Sequence, residues 1–123
     1  SPRILLSTKA FDGLTRQLDE YFTGRRHDFQ TPVDLELITG FRREVLDLLP
    51  SIPYGQTRSY ADLAAQAGRP TAVRAVGSAC GHNPVPIVVP CHRVVRSDGS
   101  LGGYLGGLAA KQALLTLEAG RVA

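Results

Sequence analysis

Cys91 stands in the run Pro90, Cys91, His92, Arg93, a thiol with an imidazole and a guanidinium on its C-terminal side. Only the thiolate of a cysteine is a strong nucleophile, and neighbouring cationic or basic groups favour that form. The spacing reads as an activated nucleophile, with a depressed thiol pKa as the expectation. Adjacent side chains in an extended segment point to opposite faces, so His92 need not touch the sulfur and a bridging water is an open alternative to direct contact. Glu118, far along the chain, is the candidate to orient His92 as the third member of a relay. Two plainer readings compete. A lone cysteine is more often a small buried hydrophobe. A metal set of Cys80, His82, Cys91 and His92 is the other, but its C-x-H and C-H spacings do not match paired zinc loops, and no metal or other cofactor is expected.

The elements that must hold these residues are legible in part. Residues 7 to 23 place Phe11, Leu14, Leu18, Tyr21 and Phe22 at helical spacing, and Gly24 with Arg25 and Arg26 ends the pattern. Arg25 to Glu36 has no period and contains Pro32, which reads as a linker. Ile38 to Leu49 resumes a helical face through Phe41, Val45, Leu48 and Leu49, and Pro50 stops it. Between Ser59 and Cys80 the spacing predicts two short helices with a tight break. Ser59 caps the first, Gly68 follows it, and Pro70 opens the second, giving a helix-turn-helix. The second helix is built of small residues around one long cation, Arg74. Pro84 to Pro90, apolar and β-branched, reads as a short buried extended segment. Ser97 to Gly107 holds five glycines and reads as a loop of close backbone approach, and Leu108 to Glu118 closes the chain as a helix.

With 123 residues, 43% of them hydrophobic, one compact core is the expectation. No apolar run is long enough to span a bilayer, and Ser1 to Gly13 lacks a signal peptide's apolar stretch, so a soluble cytoplasmic protein is expected, or a nuclear one in a eukaryote. Methionine is absent, so a processed or missing segment before Ser1 is expected. Lys plus Arg outnumber Asp plus Glu, 14 to 11, for a formal charge of +3. The excess lies in the C-terminal two-thirds, where Arg58, Arg69, Arg74, Arg93 and Arg96 face only Asp62 and Asp98, and a basic surface there suits a polyanionic partner. Two cysteines do not make a disulfide framework.

Asn83 to Val95, NPVPIVVPCHRVV, resembles the active-site signature of the O6-alkylguanine-DNA alkyltransferase family. The likeness continues through Ile52 to Ala64, Ala72 to Ala79, Gly102 to Lys111 and Leu117 to Gly120. It implies an α/β fold with a mostly helical C-terminal catalytic and DNA-binding domain over 36–123. Residues 1–35 would be the remnant of an N-terminal domain, its sheet half shortened or missing. It implies a monomer that acts on double-stranded DNA carrying O6-alkylguanine, with O4-alkylthymine as a further candidate. No membrane partner is expected. Each molecule would take the alkyl group onto Cys91 irreversibly, in a single turnover.

By position, the resemblance makes Cys91 the acceptor and gives its deprotonation to His92, a water and Glu118. Asn83 becomes the hinge between recognition helix and active-site segment, and Tyr60, in the turn before the first helix, the donor to guanine N3. The carbonyls of Cys91 and Val94 would accept from the exocyclic amine. Tyr104, Pro86 and the backbone N–H near Leu105 would hold the alkyl group and O6. Arg74 would fill the gap left by the rotated nucleotide, with Ala72, Ala75, Gly77 and Tyr60 against the minor groove. Leu105 stands where many members carry serine, a departure that bears on the size of the alkyl group accepted. The alternatives are a repair module of a larger adaptive-response transcription regulator and a non-catalytic lesion binder. The presence of Cys91 argues against the second.

Overall fold

The computed structural model describes residues 3–4, 8–30 and 33–120, with side chains for 13–30 and 35–120. Ser7, the side chain of Phe11 and Pro32, which figured in the expected helix and linker, lie outside the described residues. The first ladder is antiparallel and short: β1 (Arg3–Ile4) pairs with β2 (Val33–Asp34) in the register Arg3 to Asp34 and Ile4 to Val33. Between them runs α1 (Thr8–Phe22). Its face of Leu14 and Tyr21 is buried, whereas Phe22, expected on the same face, is half exposed. The expected linker therefore carries a strand, and a two-stranded remnant of sheet is present where only a helix and linker were read.

α2 (Gly40–Leu48) starts two residues later than its apolar pattern. The α-helix ends before Pro50 as expected, and Pro50 sits inside a 3-10 turn, Leu49–Ser51, where its missing N–H is no loss. Val45, Leu46, Leu49 and Ile52 drive this segment into the core, each fully or almost fully buried. A strand that the sequence reading did not anticipate follows: β3 (Arg58–Ser59) runs parallel to β4 (Val94–Val95), pairing Arg58 with Val94 and Ser59 with Val95.

α3 (Tyr60–Gln66) begins at a capping box, the Ser59 hydroxyl accepting from the Asp62 N–H at 2.9 Å and the Asp62 carboxylate from the Ser59 N–H at 3.2 Å. It ends as expected at Gly68, whose φ of +79 places it in the left-handed region. The Gly68 N–H bonds Ala65 and the Arg69 N–H bonds Ala64, which closes the helix end. The second helix, α4 (Val73–Gly81), begins three residues after Pro70, which lies in the connecting turn. α2 packs across both helices of this pair, with Leu63, Ala64, Val76 and Ala79 as the buried contact. α5 (Leu108–Glu118) closes the described fold and packs on the segment that carries Cys91. No helix among the described residues is long and apolar enough to cross a membrane.

Candidate active site

Residues Pro84 to Pro90 were expected to be extended, and instead fold into a compact turn. The cause is Asn83, which follows α4: its amide donates to the Val89 carbonyl at 2.7 Å and its side-chain oxygen accepts from the Val85 N–H at 3.0 Å. The Val89 N–H returns to the Val85 carbonyl at 3.0 Å, and Ile87 is held at φ +76, a region that β-branched residues avoid. Two hydrogen bonds from one buried side chain thus override the extended preference of the sequence. The segment then enters a 3-10 turn, Cys91–Arg93, tied by the Cys91 N–H to the Val89 carbonyl at 2.9 Å.

Cys91 is 3% exposed and forms part of the wall of a cleft of about 630 Å³. Burial pushes its thiol pKa up, against the opposing effects of the Asn83 amide, the Lys111 ammonium and its own backbone N–H. The expected depression is therefore corrected: desolvation outweighs the groups that favour the thiolate. Cys80, from the last turn of α4, lines the same cleft, and burial raises its thiol to about 12.

Behind Cys91 the His92 Nε2 lies 2.7 Å from Glu118 Oε2. The same carboxylate accepts from the Tyr21 hydroxyl at 2.6 Å and from Arg93 Nε and Nη2 at 2.8 and 3.0 Å. Burial alone would raise the Glu118 pKa, but the donations from His92, Arg93 and Tyr21 outweigh it and hold the carboxyl at about 2. An ionised Glu118 fixes the ring: Nε2 carries the hydrogen it donates, and a neutral imidazole then presents Nδ1 as an acceptor. Nδ1 is buried and has no protein hydrogen-bond partner. Arg93, counted among the surface cations in the sequence, is 5% exposed. It donates to the Ile52 carbonyl at 2.8 Å and lies over the Tyr54 ring, so it belongs to the core and not to a basic surface.

A second buried cation was missed altogether. Lys111 of α5 has no exposure. Its Nζ donates to the carbonyls of Val94 at 2.6 Å and Gly103 at 3.2 Å, to that of Leu101, and to the Tyr60 hydroxyl at 3.4 Å. Burial lowers its pKa, while the thiols of Cys80 and Cys91 act to raise it. Lys111 thereby fastens the glycine loop to β4 and to the first residue of α3. Tyr60 is that residue, not part of the preceding turn, and its ring packs on Gly102, where a Cβ would come within 2.7 Å of the hydroxyl. Gly102 also has φ +70, so only glycine suits both the backbone and the contact.

The cleft gathers Cys91, Tyr60, Arg74, Gly77, Tyr104 and Leu105, and adds Cys80, Arg96, Gly102 and Gly103. Leu105, 66% exposed, forms the rim. Asn83, His92 and Glu118 sit buried behind it. Pro86 does not join them; it lies in an adjoining apolar groove that shares Tyr104 with the cleft. Val94 is fully buried and its carbonyl is engaged by Lys111, while the Cys91 carbonyl accepts from the Val94 N–H. Ala72 is the N-cap of α4 and Ala75 is exposed on it, both outside the cleft wall. Among the described residues no group of His, Cys, Asp and Glu is arranged to hold a metal, and His82 is exposed with its ring against the Ser78 carbonyl.

The missed residues had one faint signal. Lys111, Leu114 and Glu118 are the buried positions of α5, spaced three and four apart, so two charges occupy what should be its apolar stripe. Nothing in the sequence connects Tyr21 to Glu118, which are 97 positions apart.

Comparison with known proteins places this geometry. Residues 40–120 match the family described as 6-O-methylguanine DNA methyltransferase, DNA binding domain, and residues 4–35 match the ribonuclease-like domain of the same methyltransferase. A methylated-DNA–protein-cysteine methyltransferase of Mycolicibacterium paratuberculosis is 53% identical over 89% of this chain. This chain spans 66% of that relative's length. The crystal structure of Mycobacterium tuberculosis OGT in complex with DNA superposes with a TM-score of 0.87 at 50% identity, covering 91% of this chain and 69% of that one. Schizosaccharomyces pombe Atl1, solved in complex with damaged DNA containing O6-carboxymethylguanine, gives a TM-score of 0.58 at 32% identity, covering 63% of this chain and 74% of that one.

Proposed function

The chain belongs to the O6-methylguanine DNA methyltransferase family, and from that premise we propose that it repairs duplex DNA by moving an alkyl group from O6 of guanine to Cys91 Sγ, once per molecule. The observation that carries the reading is the conjunction of a cleft, Cys91 in its wall, and an adjacent imidazole whose Nδ1 is left as an acceptor by the Glu118 bond. A buried Nδ1 without a partner would cost about 1–3 kcal/mol, which favours a water there. That water, between Nδ1 and the thiol, carries the Cys91 proton to the ring. Because burial raises the thiol pKa, sulfur is deprotonated as the substrate arrives and is not stored as a thiolate.

Sulfur then attacks the alkyl carbon, the C–O6 bond breaks, and its electron pair passes into the purine. Tyr60, which lines the cleft, is the proposed proton donor to N3. A lysine ammonium has donors only, so in its 3.4 Å contact with Lys111, whose three N–H groups also serve three carbonyls, the Tyr60 oxygen can only accept, and the phenol hydrogen is left for the base in the cleft. The N–H near Leu105 serves O6. The Cys91 and Val94 carbonyls are each already engaged once, so the exocyclic amine has their second lone pairs to use. Arg74, exposed on α4 at the cleft edge, takes the place of the extruded nucleotide, with Gly77, Ala72 and Ala75 letting the minor groove come close. The thioether product has no hydrolytic exit. We place the protein as a monomer in the compartment that holds the DNA, the cytoplasm or a nucleus.

Intact-mass analysis after one equivalent of O6-methylguanine duplex tests this. Replacing the thiol hydrogen by methyl adds about 14 Da in a covalent transfer, and the increment should map to Cys91. An unchanged mass, or an increment at Cys80, overturns the reading.

A further inference from the structure

The cleft wall holds two cations and no acid: Arg74 from α4 and Arg96 from the turn that follows β4. The family resemblance gave Arg74 a role and left Arg96 without one. The turn of Arg96 is well braced. Its N–H donates to the Ser100 carbonyl and its carbonyl accepts from the Gly99 N–H, both at 2.9 Å. Asp98, the nearby acid, accepts from the Ser100 N–H at 2.9 Å and hydroxyl at 2.7 Å, and these bonds lower its pKa more than the charge of Arg96 does. Arg96 itself is exposed, and its guanidinium makes no hydrogen bond or ion pair among the described residues. Its charge is felt inside the cleft, where it acts to lower the pKa of both the Tyr60 hydroxyl and Lys111.

A long cation on a braced turn, lining an acid-free cleft, is suited to a phosphodiester: the guanidinium fork matches phosphate oxygens, and Asp98, though it feels the Arg96 charge, forms no ion pair with it among the described residues. We propose that Arg96 binds a backbone phosphate next to the extruded nucleotide, gripping the strand from a different wall than Arg74. The inference rests on the repair reading above. In this arrangement Arg74 occupies the gap in the stack and Arg96 holds the displaced strand, so the base stays in the cleft while sulfur reacts.

The test compares wild type, Arg96→Ala and Arg96→Lys, following Cys91 alkylation by mass with O6-methylguanine duplex and with free O6-benzylguanine. Arg96→Ala should slow the duplex reaction about tenfold more than the free-base reaction, as loss of one charge-assisted contact predicts. Its rate on duplex should also fall less steeply with salt, by about one in the log–log slope, and Arg96→Lys should restore that slope. A neutral methylphosphonate at one of the two phosphates flanking the lesion should slow wild type by a similar factor and leave Arg96→Ala indifferent. Equal duplex rates for wild type and Arg96→Ala, or equal losses for both proteins at each methylphosphonate, overturn the phosphate role. If wild type itself is not alkylated by either substrate, the repair reading fails instead, and the two failures are told apart.

Discussion

The two sides of Cys91 are built on opposite principles. Behind it, Glu118, His92, Arg93, Tyr21 and Lys111 are buried, and every polar group among them except His92 Nδ1 has a partner. In front, α4 and the glycine loop present Gly77, Gly102 and Gly103 with two cations, Arg74 and Arg96. The back fixes one geometry through several hydrogen bonds on a single carboxylate and several from a single ammonium. The two cations of the front form no ion pair among the described residues and leave their donors for something outside. The difference teaches where substitution should hurt: the back couples reactivity to folding, while the front separates them.

The largest break should come from Glu118→Ala, which strands the Arg93 guanidinium and leaves the Tyr21 hydroxyl and His92 without their acceptor. Removing one partner of such a buried pair costs about 3–5 kcal/mol, read as a lowered urea midpoint. A drop no larger than that of a surface substitution would break the contrast between the sides. Acid should reach the same group without mutation. The Glu118 carboxyl is depressed from 4.5 to about 2, so its contribution is present in full above its unfolded pKa and disappears as pH falls through that window. The shift corresponds to about 3 kcal/mol lost between pH 5 and 2, and Glu118→Gln should flatten that part of the stability–pH curve.

Lys111→Met comes next, since it keeps much of the volume but takes the donor from the Val94, Leu101 and Gly103 carbonyls. A loss of about 2 kcal/mol in thermal or urea unfolding is expected, with alkyl transfer slowed on duplex and on free base alike. A defect confined to duplex would move Lys111 to the front group. The smallest structural effect belongs to Arg74→Ala, within about 0.5 kcal/mol of wild type in stability. Its repair of duplex should nonetheless fall far more than its reaction with free O6-benzylguanine. Equal losses on the two substrates would remove the distinction between a reactive back and a gripping front.

The same division explains what could be read from the sequence. The front was largely legible, because its elements are local: Ser59 with Asp62 at the head of α3, Gly68 at its end, the small residues of α4 around Arg74, and the glycines after Ser97. The boundaries shifted by a few residues: α2 begins at Gly40, and Pro70, expected to open the second helix, lies in the turn before it. The back was half legible. Cys91, His92 and Glu118 announced themselves through residue type and family likeness. Arg93 looked like surface charge and Lys111 like an ordinary helix cation, because the burial of a charge depends on partners contributed from remote segments. The turn before Cys91 was misread for a related reason. Its β-branched composition argues for extension, and only the two bonds of Asn83 reverse that preference.

The Tyr21 hydroxyl crosses from the first long helix to the carboxylate that sets the imidazole tautomer. An incompletely assembled chain can possess its Cys91 loop, which is organised locally, and still lack an oriented base. On the proposed mechanism, the orientation of the base thus depends on a contact between segments 97 positions apart, and loosening either end of the described fold would disturb it.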